Sequence, residues 1–78
     1  MSTIDTDTMS RDDAINYIAA DRTLLRRLHV GHRRQLEEMD DETLATHITR
    51  AANVLLERGD DDAAKVLDAC ADELACAQ

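Results

Sequence analysis

The chain has no tryptophan, no phenylalanine, no proline and a single tyrosine. Each large aromatic side chain buries about 150–250 Å². Without them a core has to come from Leu, Ile and Val, which make up only 16 of the 78 residues. The scarcity of aromatics also removes the platform on which nucleic-acid bases stack. Two glycines, Gly31 and Gly59, cannot build a glycine-rich phosphate loop. The only serines, Ser2 and Ser10, do not sit in a nucleophile elbow. Cys70 and Cys76 lie six apart in what reads as one helix, so they face different ways and no internal disulfide is expected. Neither belongs to a CxxC or Cys/His zinc pattern.

No apolar run approaches the 18 or so residues of a membrane span, and no basic-then-apolar leader opens the sequence. A chain of 78 residues is also too short for a dinucleotide-binding α/β fold or a β/α barrel. The expectation is a soluble, cytoplasmic protein that is not an enzyme, holds no cofactor and has no catalytic residue.

What is abundant is charge and alanine. Seventeen acids stand against nine bases, a formal charge of −8, and alanine occurs 12 times. The charge is unevenly spread. Residues 1–20 hold one base and four acids (−3), residues 21–34 five bases and one acid (+4), and residues 35–78 three bases and twelve acids (−9).

The periodicity is helical throughout, with no strand signal. Residues 1–9 are polar and aperiodic and read as a disordered lead-in to a single helical domain over 10–78. Ser10, with Asp12 and Asp13 behind it, caps a first helix whose apolar side holds Ala14, Ile15, Ile18 and Ala19. Asp21 would fall on the apolar stripe of a continuous helix. It is therefore read as the N-cap of a second helix, Arg22 to about Met39, with an unbroken helix over 10–39 as the alternative. The stripe of that second helix is Leu24, Leu25, Leu28, His32, Leu36 and Met39, with Gly31 at its edge.

Asp40, Asp41 and Glu42 open a third helix with a wide apolar face of Leu44, Ala45, Ile48, Ala51, Ala52, Leu55 and Leu56. Arg58 and Gly59 close it. Asp60 then caps a fourth, carrying Ala63, Val66, Leu67, Cys70, Leu74 and Ala77. The predicted fold is all-α, a small bundle of three or four short helices with a C-terminal helical hairpin. Because the core is thin, homodimerisation through exposed Leu and Ala faces is expected to complete it.

Three constellations carry functional readings. The acids Glu37, Glu38, Asp40, Asp41, Glu42, Asp60, Asp61 and Asp62 serve as helix caps and solvated first turns, or they copy the spacing of nucleic-acid phosphates. In the second case the protein docks on the basic surface of a nucleic-acid-handling partner and regulates or inhibits it, and this is the leading expectation. The basic face, Arg22, Arg26, Arg27, Arg33 and Arg34, avoids the leucine stripe. On a continuous helix Arg22, Arg26 and Arg33 fall within about 40° of each other. These arginines either pair with the chain's own carboxylates or form an anion-facing helix over 22–34, which gives a nucleic-acid binder as one alternative function, although the net acidity of the chain weighs against direct nucleic-acid binding. His29, His32 and His47 are the weak metal candidates, with no HExxH or ExxH pattern, and no metal is expected. A helical adaptor working through an apolar helix face is the other alternative.

Overall fold

In a computed structural model that describes residues 9–76, five helices follow one another. They are α1 (Arg11–Ala19), α2 (Arg22–Arg27), α3 (Arg33–Glu38), α4 (Asp41–Glu57) and α5 (Asp61–Cys76). The expected lead-in over 1–9 lies outside the described residues except for Met9, which packs against the core. Ala77 also lies outside them.

Local hydrogen bonds set most boundaries. Ser10 Oγ accepts from the Asp13 N–H at 3.2 Å and starts α1. Asp21 Oδ1 accepts from Thr23 and Leu24 N–H at 3.0 and 3.3 Å and starts α2. Asp40 Oδ1 accepts from Thr43 N–H at 2.9 Å and starts α4. Each satisfies donors that a helix start otherwise leaves unpaired.

The second helix predicted over 22–39 is in fact two, and the bundle has five helices where three or four were expected. At the end of α2 the chain turns left-handed at His29 (φ 59°). The His29 N–H donates to Arg26 O at 3.1 Å and the Val30 N–H to Leu25 O at 2.9 Å. This is the double hydrogen bond of a Schellman motif. The physical reason lies in Val30. On a continuous helix it would project about 170° from the centre of the leucine stripe, into water. The break turns it inward, where it is 7% exposed beside Leu28 at 2%. α3 then restarts with the Gln35 side-chain oxygen accepting from the His32 N–H at 3.2 Å and from the Gly31 N–H. His32, expected to face the core, is exposed at this N-cap. Gly31 lies in the connecting loop, outside any helix.

The end of α4 uses the same motif with the residue that suits it. Gly59 adopts φ 85°, its N–H donates to Leu56 O at 3.0 Å, and the Asp60 N–H donates to Leu55 O at 2.9 Å. α4 and α5 therefore form the predicted hairpin. α1 packs across α2, α3, α4 and α5, and α2 also packs on α4.

The fully buried large side chains are Ile15, Ile18, Leu24, Leu36, Leu44, Ile48, Leu55 and Leu67, with Cys70 among them. Buried alanines at 14, 45, 51, 52, 64 and 71 let helix axes approach closely, so a core without aromatic rings still closes. Leu56, assigned to the buried face of the third predicted helix, is instead 51% exposed. Among the described residues no other large hydrophobic is exposed and no polar side chain is buried. The radius of gyration, 11.9 Å, is close to the roughly 11.5 Å of a compact chain of this size. Among the described residues no helix is long and apolar enough to cross a membrane.

Candidate functional site

The eight acids singled out by sequence divide into two groups. In the first group, three of the five are engaged inside the fold. Glu37 Oε2 meets Arg33 Nε at 2.6 Å, Asp40 caps α4, and Asp41 Oδ1 meets Arg11 Nε at 3.3 Å. Arg11 was not foreseen as a structural residue. Its Nη2 also donates to Met39 O at 2.8 Å and Glu37 O at 3.2 Å, so one guanidinium joins the start of α1 to the end of α3 and the first turn of α4. Those carbonyls would otherwise be open ends of α3. The remaining acids of this group, Glu38 and Glu42, are exposed.

The second group, Asp60, Asp61 and Asp62, lies at the opposite end of α4 and is exposed. Seventeen helical residues separate the two groups by about 25 Å, so the sequence clusters do not merge into one patch. What joins the second group is the outer surface of α5. Asp61, Asp68 and Asp72 recur at intervals of seven and four, which places them within about 40° on the helix, and Asp62 and Glu73 lie together about 100–120° round to one side of that row. All five are exposed, and Lys65 is the one base on that arc. Asp68, Asp72 and Glu73 were missed by sequence reasoning, although their spacing was readable.

The basic face is also redistributed. Arg22, Arg26 and Arg27 sit on α2 and Arg33 and Arg34 on α3, so the arc drawn on a single helix does not exist. Arg27 Nη2 meets Glu57 at 3.3 Å and Arg33 meets Glu37. Among the described residues Arg22, Arg26 and Arg34 form no ion pair. Arg22 and Arg26 line an open groove of about 390 Å³ whose other walls are Leu25, Val30 and Gly31. A smaller one of about 160 Å³ follows the α4–α5 seam, lined by Ala52, Asn53, Leu56, Ala64, Lys65 and Asp68.

At the α4–α5 turn, Arg58 Nη1 donates to Asp21 Oδ2 at 2.9 Å. That hydrogen bond, followed by those from Leu24 and Thr23 N–H, holds the Asp21 carboxyl below its ordinary value. The Tyr17 phenol nearby is pushed up, first by burial and then by the Asp60 and Asp21 carboxylates. Burial raises the Cys70 thiol, with the Glu73 and Asp13 carboxylates adding to it, and so keeps it from forming a thiolate readily.

The three histidines are dispersed. His29 is the left-handed turn residue, His32 starts α3, and His47 Nδ1 lies 2.9 Å from Thr43 O one turn back on α4. Among the described residues no group of three or more His, Cys, Asp or Glu is placed to hold a metal ion. Comparison with protein-family models, curated proteins and solved structures finds no match to this chain.

Proposed function

We propose that the protein acts by binding and not by chemistry, laying the acidic outer face of α5 on a basic partner protein. The observation that carries this is the row Asp61, Asp68 and Asp72 with Asp62 and Glu73, five exposed carboxylates on one helix arc opposed by Lys65 alone. The acids at the start of α4, by contrast, are largely occupied by capping and by Arg11. A rigid helix some 24 Å long presents its charges without having to order them on binding, which favours fast, steered association with a cationic surface. A surface of that sign is the kind that handles nucleic acid, so docking of α5 there regulates or inhibits it by competition.

Self-association belongs to the same proposal, with Leu56 as its apolar foothold beside the acidic row. The test is affinity capture from the native host with wild type and with D68N/D72N/E73Q, followed by mass spectrometry. A basic protein retained by wild type, released by about 0.5 M salt and not retained by the variant is expected, because such salt screens exposed pairs beyond a few ångströms. Equal retention by the variant would overturn it.

A further inference from the structure

We infer that the groove between Arg22 and Arg26 is the docking site for the α5 edge of a second copy of this chain. The contact is head-to-tail, and its acidic half rests on the face assigned above. The two halves match in charge and in apolar content. On one side two guanidiniums without a carboxylate partner among the described residues stand over the aliphatic side chains of Leu25 and Val30. On the other, the exposed Leu56 and Asp68 line one seam together with Lys65, and Asp72, one helical turn beyond Asp68, keeps the edge net acidic. Leu56 fits the aliphatic floor while Asp68 and Asp72 meet Arg22 and Arg26, and guanidinium forks are suited to such carboxylate contacts.

The two surfaces belong to different helices, α2 and α5, whose main packing is on α1 and α4 and not on each other. Each copy therefore offers one half to each of two neighbours, which gives a heterologous contact that closes into a ring or extends as a chain. Two molecules of formal charge −8 repel at long range, but the paired patches meet at contact distance. Association should therefore be strongest at intermediate salt. At about 0.01 M the Debye length is about 30 Å and the net repulsion acts in full, whereas at about 1 M it is about 3 Å and the contact itself is screened.

Sedimentation of the full chain at about 0.1 M salt tests this, using R22D/R26D and D68R/D72R. All four substitutions fall at exposed positions, and far-UV circular dichroism verifies that each variant is folded. Wild type is expected to rise above the 8.7 kDa monomer mass with concentration. Each variant alone should associate more weakly by over about tenfold. Their equimolar mixture should regain assembly, since each native half meets its complement on the other variant and the two reversed halves also match in charge. Leu56→Asp should weaken wild-type association as well. A wild type that stays monomeric at every salt concentration, or variants that assemble as wild type does, would overturn the inference. R22D/R26D keeps the acidic row, so its capture of a basic partner tests the proposed function separately.

Discussion

Replacing His29 with glycine should stabilise the protein, and the sign of the effect reports directly on the break between α2 and α3. His29 holds φ 59°, a region that costs a residue with a Cβ about 1–2 kcal/mol. Glycine removes that strain but gains about 0.5–1 kcal/mol of freedom in the unfolded chain. The net is about 0.5–1 kcal/mol in favour of glycine, and the exposed imidazole takes little packing with it. For a domain of this size that raises Tm by roughly 2–8 °C.

The mirror experiment is Gly59→Ala. A Cβ there would meet no atom within 4 Å, so only the φ of 85° opposes it. Tm should fall by a similar amount, since the αL penalty exceeds what alanine gains in the unfolded state. Thermal unfolding followed by circular dichroism measures both. Were residues 22–39 one helix, position 29 would be interior and glycine there would be worse than histidine by a few tenths of a kcal/mol. A Tm of His29→Gly at or below wild type would refute the left-handed turn and the five-helix fold with it.

Arg11→Ala removes the guanidinium that joins α1, α3 and α4. Its side chain is about one-third exposed, so a loss of about 1–2 kcal/mol is expected, read as a urea midpoint lower by roughly 1 M. Arg50→Ala, at an exposed site on α4, should shift stability by less than about 0.5 kcal/mol. Asp21→Asn keeps a capping side chain but loses the charge that Arg58 stabilises. A carboxyl held below its usual 3.8 contributes stability that is complete above that value and disappears as pH falls through the lower folded-state value. The Tm gap between wild type and Asp21→Asn should therefore be widest above about pH 5 and close below 3.8; a gap that widens on acidification would contradict the pairing. A thiol reagent should label Cys76 at once and Cys70 only on unfolding, because one is exposed and the other buried with a raised thiol; two fast thiols would contradict the core.

Much of this architecture was legible because it is written in short-range hydrogen bonds. Ser10, Asp21 and Asp40 cap where their side chains can reach N–H groups two or three residues ahead, and Gly59 ends α4 at the position where a Cβ is penalised. The break at His29 was hidden because Leu24, Leu28, His32 and Leu36 keep helical spacing across it and no glycine marks the left-handed residue. The signal was Val30, an apolar residue on the wrong side of a continuous helix. The Arg11 contacts span 26 to 30 residues and depend on how α1 crosses α3 and α4, which no local pattern encodes.

The acidic site was half legible for the same reason. Clusters such as Asp40 to Glu42 attract attention in sequence but are absorbed locally. The dispersed Asp61, Asp68 and Asp72 form a surface only once α5 is folded and its opposite arc buried. Exposure of Leu56 depended on where α5 lies against α4, and no stripe on α4 alone reveals it.

The most direct measurement is a comparison of two neutralised proteins in partner capture from the native host. One carries D61N/D68N/D72N on the outer arc of α5, and the other E37Q/D41N at the Arg11 and Arg33 ion pairs. Both remove acidic charge from the chain. The first should keep its Tm and lose the basic partner, while the second should lose Tm and keep the partner. Retention of the partner by the α5 variant together with its loss from the α3–α4 variant would contradict the assignment of the acidic face.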